Sequence, residues 1–399
     1  MLKFGLIREG KTPPDKRVVF SPQDLLVFKN TYPDCSFKVE SSSVRFFKDE
    51  EYEALGFEVT NDLTDCDILL GVKEVPVEQL IPNKTYFFFS HTIKKQPYNK
   101  SLLQSCLEKN IRLIDHETLI DEKGNRLIGF GKFAGIVGAY NTFRAFGIKY
   151  ELFNLKKAEE LKTQQDLIER LNRPYLPPIK IVLTGKGKVG YGAKEMLDAM
   201  EMKEVSIEKF LKQEFDQPVY VHIDYNDYYR RADGKPSSKT DFIENPQEYE
   251  SDFEKFSQVA DILIAGHFYK DGSPAILTKE MLNHPKNTLK VVGDISCDID
   301  GPIACTLRPS TIADPFYGYY PRAHEEVDTE HPAAIVVMAV DNLPCELPKD
   351  ASEDFGKVFL KSIVPAFFND DKDGILKRAT ICENGKLSER FSYLEDYVK

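Results

Sequence analysis

Ile179-Lys180-Ile181-Val182-Leu183-Thr184-Gly185-Lys186-Gly187-Lys188-Val189-Gly190-Tyr191-Gly192-Ala193 reads as an apolar strand, a glycine-rich turn and the start of a helix. The turn has the spacing Gly185-x-Gly187-x-x-Gly190. In a strand–helix unit the first such glycine permits a tight turn and the second lets a pyrophosphate approach the backbone. The third lets the helix pack closely on the strand. The helix start then offers unpaired N–H groups and the positive end of its dipole to phosphates. A glycine-rich turn in an unrelated strand–helix unit is the bland alternative. The context favours a dinucleotide, with Gly185, Gly187 and Gly190 as candidate cofactor residues.

Which dinucleotide depends on the second strand. An acidic residue ~20 positions on, at the end of that strand, would hold the ribose 2′-OH of NAD. A short strand ending near Val205-Ser206-Ile207 is expected here. Ser206 then stands where an acid is wanted, flanked by Glu204 and Glu208. The cofactor expectation is therefore NAD(P), leaning to NADP, with Lys209 or Lys212 as counter-charge for a 2′-phosphate. The same residues also read as solvated surface.

Outward from this unit, short apolar runs alternate with amphipathic stretches. Towards the N-terminus, 2–7, 37–39, 67–72, 85–89 and 111–114 read as strands. Residues 22–30 read as a helix capped by Ser21, and 101–109 as another. Such alternation means a mostly parallel, doubly wound sheet. Ligands of such sheets bind outside the carboxyl ends of the strands. The residues there are Arg8-Glu9, Lys73-Glu74, His91 and Asp115-His116-Glu117. Towards the C-terminus, 154–178 reads as a helix and a connector, and 262–265 and 289–294 as strands. The polar stretch 224–249 reads as an insertion or lid. The apolar run 333–340, followed by Asp341-Asn342-Leu343-Pro344, reads as a helix end. The Tyr-rich stretch 308–320 gives no clear pattern.

The whole chain has 399 residues, enough for two or three domains. Lys plus Arg is 53 and Asp plus Glu 64, a net charge of −11. That acidity argues against nucleic acid, whose phosphates demand basic patches. Hydrophobic residues at 42% and charged ones at 29% mark an ordinary globular chain. The seven Cys are scattered with no CxxC pair, so a reducing compartment fits better than a disulfide scaffold. No signal-peptide core begins the chain, and no apolar run nears the ~20 residues of a membrane helix. A cytoplasmic protein away from membranes is expected. Neither HExxH nor GxSxG appears, so neither a catalytic metal nor a Ser-His-Asp hydrolase is expected.

Among the strand-end residues, Lys73 and His91 suit general acid–base work. Glu74 and Glu117 could attract an ammonium, and Arg17 and Arg126 could grip carboxylates. Each alone also reads as a solvated side chain. Their gathering at one sheet edge is what singles them out.

These residues carry a resemblance to a known family. Arg8-Glu9 with Lys16-Arg17, Leu70-Gly71-Val72-Lys73, and Lys84-Thr85-Tyr86-Phe87-Phe88-Phe89-Ser90-His91-Thr92-Ile93-Lys94 all match. So do Ile111-Arg112-Leu113-Ile114-Asp115, Gly124-Asn125-Arg126, Phe130-Gly131, Asp294-Ile295-Ser296-Cys297-Asp298 and Asp341-Asn342-Leu343-Pro344. The chain resembles lysine-forming saccharopine dehydrogenases, in particular the lysine–2-oxoglutarate reductase half of aminoadipic semialdehyde synthases. More distantly it is similar to alanine dehydrogenases and transhydrogenase subunits. The resemblance implies an α/β protein of two Rossmann-like doubly wound domains with a cofactor and substrate cleft between them. Residues 1–140 plus 330–399 would form the catalytic domain and 141–329 the dinucleotide-binding domain. It implies reductive condensation of L-lysine with 2-oxoglutarate to saccharopine by NAD(P)H. Lys73 and His91 would be the acid–base pair. Lys11, Arg17, Glu74, Lys94, Glu117, Arg126 and Phe130 would line the substrate site. Gly266, His267 and Asp294 would lie towards the nicotinamide. His267 departs from the aliphatic residue usual in relatives. Further oxidation of saccharopine is expected to need another protein. Two other readings stay open: a different amino-acid or opine-type dehydrogenase, and a cofactor-binding regulator without catalysis. Oligomeric state is left open.

Overall fold

The computed structural model describes every residue except Asp271. Two compact units form, Met1–Phe130 with Pro348–Lys399, and Gly131–Leu347. Each is built on an eight-stranded sheet. The divisions fall at 130/131 and 347/348, where the sequence reading put them at 140/141 and 329/330. The difference has a packing cause. The helix Gly131–Lys149 lies along the helix Lys188–Ala199 and the second sheet, so it belongs wholly to that unit.

In the first unit, β1 (Lys3–Leu6), β2 (Ser36–Glu40), β3 (Glu58–Thr60), β4 (Ile68–Leu70), β5 (Thr85–Phe88) and β6 (Arg112–Asp115) run parallel in the order β3-β2-β1-β4-β5-β6. Two C-terminal strands, Thr380–Glu383 and Lys386–Leu387, extend the β6 edge in antiparallel fashion. The helix Pro22–Thr31 starts at Ser21, whose hydroxyl accepts from the Asp24 N–H at 3.2 Å. The core on this face is aromatic. Phe4 meets Phe28 at 5.0 Å, Phe37 at 5.5 Å and Phe367 at 5.5 Å. Phenylalanine supplies the ring packing that tryptophan would give elsewhere. Strand order reverses between β1 and β4, and ligand crevices of open α/β sheets lie at such a point.

The second unit holds β7 (Lys180–Thr184), β8 (Lys203–Glu204), β9 (Val219–Ile223), β10 (Tyr229–Arg231), β11 (Tyr249–Ser251), β12 (Ile262–Ala265), β13 (Val291–Asp294), β14 (Phe316–Tyr320), β15 (Glu325–Val327) and β16 (Ile335–Met338). Its sheet order is β8-β9-β7-β12-β13-β16-β14-β15, with order reversing between β7 and β12. Strands β8 to β16 in that row are parallel; β14 and β15 are not. The run at 333–340 is thus a central strand and not a helix end. Its β-branched Ile335, Val336 and Val337 are buried on both faces, as a covered parallel sheet demands. The stretch 224–249 is a folded hairpin element. β10 pairs with β11, and Tyr228, Tyr229, Phe242 and Tyr249 sink into the core. No helix among the described residues is long and apolar enough to cross a membrane.

The two helices Gly131–Lys149 and Lys188–Ala199 cross at glycines. A Cβ on Gly135 would lie 2.0 Å from the Val189 carbonyl oxygen, and one on Gly192 would lie 2.1 Å from that of Lys132. Gly135→Ala would gain up to about 1 kcal/mol of helix propensity at an open site. At this crossing overpacking reverses the sign, and we expect a net loss of about 1–3 kcal/mol. Urea unfolding of the variant checks this; an unchanged or raised midpoint would show that the helices can part without cost.

Candidate active site

In the first unit, the edge at the β1/β4 reversal is organised by one carboxylate. Glu9, just beyond β1, accepts from the Val72 N–H at 2.7 Å and the Lys73 N–H at 2.8 Å, just beyond β4. It ties the two strand ends together and fixes the backbone that presents Lys73 and Glu74. Burial, helped by nearby Asp15, pushes the Glu9 carboxyl up to about 8 despite those two bonds and Arg17.

Glu74 is the hub of the exposed side of this edge. Its Oε1 takes the Lys11 Nζ at 2.9 Å and the His91 Nδ1 at 3.3 Å. Burial raises the carboxyl's pKa, but the bonds from His91 and Lys11 outweigh it and bring it down to about 2. The ionised Glu74 therefore calls for a proton on His91 Nδ1, leaving Nε2 as the other, proton-accepting nitrogen. The second oxygen, Glu74 Oε2, is buried without a hydrogen-bond partner among the described residues. A buried bare carboxylate oxygen favours a cation. His91 itself sits in the left-handed region at φ 54°, a conformation that costs about 1–3 kcal/mol in a non-glycine residue and concentrates at functional sites.

Further along the same edge, Glu117 Oε1 lies 3.6 Å from Arg126 and 3.8 Å from Lys94. The Arg126 guanidinium stands over Phe89 at 5.3 Å. Arg17 differs from the sequence expectation of an open clamp. It is buried, and its Nε and Nη2 are engaged by Asp15 at 3.0 and 2.6 Å. Its guanidinium also stacks on Phe130 at 4.2 Å. The Asp15 partner, two residues before Arg17, gave no sequence signal beyond its spacing. His116, also at a strand end, is buried among Phe89 and Phe355 and bonded through Nε2 to the Gly71 carbonyl at 2.8 Å. Burial drops its pKa to about 3, so it stays neutral.

In the second unit the glycine turn lies at the β7/β12 reversal. Gly185 has φ 90°, and a Cβ on Gly190 would sit 1.7 Å from the Gly185 carbonyl oxygen. A Cβ on Gly187 would meet nothing within 4 Å, so this face of the turn is open. Gly187 is the N-cap of the helix Lys188–Ala199 and makes no side-chain cap bond. An uncapped helix start behind open glycine backbone suits the phosphates of a dinucleotide. Gly266 packs against this turn, its Cα side facing the Gly190 nitrogen. His267 is buried, bonds Thr184 through Nδ1 at 2.8 Å, and is held neutral by burial with a pKa of about 3. Asp294, at the end of β13, accepts from Ser296 and Thr306 hydroxyls, both at 2.6 Å, so both oxygens are engaged by nearby loops.

Ser206 does not end the strand beside β7. It is the N-cap of the short helix Ile207–Lys212, and β8 is a two-residue exposed edge strand. The strand beside β7 is β9, with Thr184 opposite Ile223. The residues that follow it, and His222 within it, were missed. His222 Nε2 donates to the Gly185 carbonyl at 2.8 Å and so anchors the glycine turn to β9. The five-residue buried run Val219–Ile223 was the available signal. Among the described residues no cluster of His, Cys, Asp and Glu could hold a metal ion.

Residues 5–137 match the family "Alanine dehydrogenase/PNT, N-terminal domain". Over 397 residues the chain is 30% identical to an alpha-aminoadipic semialdehyde synthase of Arabidopsis thaliana, covering 89% of this chain and 37% of that protein. A mitochondrial alpha-aminoadipic semialdehyde synthase of Rattus norvegicus is 28% identical, with 90% and 44% covered. The saccharopine dehydrogenase [NAD(+), L-lysine-forming] of Schizosaccharomyces pombe is 23% identical, with 90% and 91% covered. The chain is thus similar in sequence to alpha-aminoadipic semialdehyde synthases and, more distantly, to lysine-forming saccharopine dehydrogenases. It spans less than half the length of the plant and rat relatives. An L-alanine dehydrogenase shares its fold, with TM-score 0.64 at 15% identity over 99% of both chains. So does a transhydrogenase from Sinorhizobium meliloti, with TM-score 0.58.

The Glu9 clamp has a pH signature. Its folded pKa of about 8 lies above the ordinary 4.5. The folded protein therefore holds this proton more tightly than the unfolded chain. The stability it contributes is complete below pH ~4.5 and is lost as pH rises towards 8. Glu9→Gln forfeits one of the two backbone bonds and should be less stable than wild type at pH 5. It should also lose less stability between pH 5 and 8. Urea midpoints across that range test this, and parallel slopes for the two proteins would refute it.

Proposed function

We propose that this chain is a nicotinamide-dependent oxidoreductase acting on an amino-acid C–N bond. More finely, we propose that it condenses L-lysine with 2-oxoglutarate, releasing water and yielding saccharopine at the expense of NAD(P)H and a proton. The observation that carries this reading is the linked set Lys11–Glu74–His91 beside Lys73 at the β1/β4 reversal. The relatives described above point the same way.

Under this reading, the first unit holds the substrates and the second the dinucleotide. Gly185, Gly187 and Gly190 would cradle the pyrophosphate, with the start of the helix Lys188–Ala199 and its dipole behind them. The cofactor, when bound, supplies the hydride that reduces the imine carbon. The protein's part is proton traffic and charge matching. Glu74, its Oε2 buried and bare, would hold the cationic lysine moiety; Glu117 would do the same beside it. Arg126 would grip a carboxylate of the keto acid, since it is exposed where Arg17 is buried on Asp15. Lys94 and Lys11 add positive charge for the remaining carboxylates. The ε-amine must lose a proton before it attacks the ketone, and His91 Nε2 can take it. The resulting carbinolamine must gain a proton on oxygen so that water leaves, and Lys73 can give it. Two groups in distinct surroundings suit these successive transfers.

A spectrophotometric assay tests the reading. Lysine plus 2-oxoglutarate should drive oxidation of NADH or NADPH, and Lys73→Met should cut kcat at least 10²-fold while cofactor affinity stays within about twofold. Turnover only with ammonia or another amine would replace the finer reading by a different amino-acid dehydrogenase. Tight cofactor binding with no turnover on any amine and 2-oxo acid would favour a regulator.

A further inference from the structure

We propose that His116 is a positioning residue, which aims Lys73 by taking a strand's place in the sheet. The inference rests on the reading that Lys73 moves a proton, and it names what holds that lysine on target. The backbone ladder between β4 and β5 carries it. Leu70 stands opposite Phe87, and the Gly71 N–H donates to the Phe87 carbonyl at 2.8 Å. Bonds of a regular parallel ladder alternate in direction, so the next donor, the Phe89 N–H, would go to the Gly71 carbonyl. It does not. His116 Nε2 donates to that carbonyl at 2.8 Å, and the Phe89 N–H donates one residue further on, to the Val72 carbonyl at 2.9 Å. The ladder thus slips by one residue just before Lys73, and the chain bends at Val72 and Lys73. Ladder irregularities beside active sites re-aim the side chains that follow.

His116 acts from two strands away. Phe88 stands opposite Asp115, so the end of β5 lies between the ends of β6 and β4. The imidazole crosses over it, a step of two strand spacings, roughly 10 Å between backbones. It joins the strand end that carries Glu117 to the one that carries Lys73 and Glu74. Packing alone does not call for histidine here. The ring lies among Phe87, Phe89, Phe355 and Phe359, with centroids 6.2, 5.0, 5.2 and 5.8 Å away. Its Nδ1 is buried with no hydrogen-bond partner among the described residues, a desolvation cost that phenylalanine would not carry. What offsets that cost is the bond from Nε2 to Gly71. Glu9 holds the Val72 and Lys73 N–H groups from beyond β1. The slipped segment is therefore gripped from β1 and from β6 at once.

Variants of the full chain test this. His116→Phe, or His116→Leu should the first not fold, removes the donor and keeps an apolar side chain. His116→Gln offers an amide N–H instead. In a crystal structure of the donor-less variant the Phe89 N–H should return to the Gly71 carbonyl. Its kcat with lysine and 2-oxoglutarate should fall at least tenfold, and His116→Gln should recover most of that loss. Added to Lys73→Met, the same change should lower residual turnover less than twofold, because the lysine it aims is gone. Retention of the Phe89 bond to Val72 without the His116 donor overturns the proposal whatever the rate. So does a kcat loss below tenfold, or a further loss of twofold or more in the Lys73→Met background. A Gln variant no faster than the donor-less one places the effect in ring packing and also overturns it. All four outcomes leave the functional reading intact. Failure of wild type to turn over any amine with any 2-oxo acid overturns that reading, and this proposal with it.

Discussion

Where strand order reverses in a parallel sheet, the loops leaving the two adjacent strands part and open a crevice at the carboxyl edge, and the backbone N–H groups that line it need acceptors. Both units meet this constraint, and they answer it differently. In the first, the protein brings its own acceptor: the Glu9 carboxyl caps the Val72 and Lys73 N–H groups. In the second, no side chain caps the helix start at Gly187, and no atom lies within 4 Å of where its Cβ would be. One edge is thus satisfied from within and presents side chains outward. The other presents open glycine backbone at a helix start that no side chain caps. This contrast, more than either fold alone, supports giving substrates to the first unit and a dinucleotide to the second.

The filled edge has consequences for the residues it carries. Because Glu9 holds the backbone at Lys73, the direction in which Lys73 and Glu74 leave the strand is set by buried bonds and not by solvent. Glu74 then transmits order to His91 and Lys11. The left-handed backbone at His91 is tolerated because the following turn, Thr92–Lys94, is held by Ser90 and Asp115 beneath it. Strain, a bare carboxylate oxygen and a fixed imidazole tautomer coincide within one short stretch. Such coincidence is ordinary for a place where chemistry is done and unusual for one whose only task is packing.

Much of this was legible beforehand because the local signals were strong. Continuous apolar runs marked β1, β4, β5, β7 and β12, and the glycine spacing marked the turn after β7. What was not legible depended on partners distant in sequence. Ser206 reads as the end of a second strand only if β8 is taken for β9's neighbour role; β8 has two exposed residues and cannot carry the centre of a sheet. β9 is fully buried but abuts a polar, Tyr-rich stretch, which drew the reading towards a lid. The helix Gly131–Lys149 is apolar almost all round, so it has no periodic stripe to betray it; its glycines make sense only against the helix they touch. Arg17 reads as a clamp until Asp15 is seen to occupy two of its donors.

Charge at the first unit's edge runs against the protein's average. The chain carries −11 overall, yet Lys11, Lys73, Lys94 and Arg126 gather where only Glu74 and Glu117 are ionised partners. Glu9, pushed up to about 8, adds little negative charge at neutral pH. Asp15 and Arg17 cancel each other in a buried pair. Cations therefore outnumber carboxylates at this edge, and the excess suits a ligand that brings more negative than positive charge. Lysine alone does not meet that condition; a dicarboxylic keto acid does, and so does a condensation product bearing three carboxylates and secondary and α-amino groups. Glu74 and Glu117 keep the excess from becoming a general anion trap, because each sets a negative oxygen beside the cations. The arrangement is thus consistent with the proposed pair of substrates, an amine and a keto acid, whose charges oppose each other.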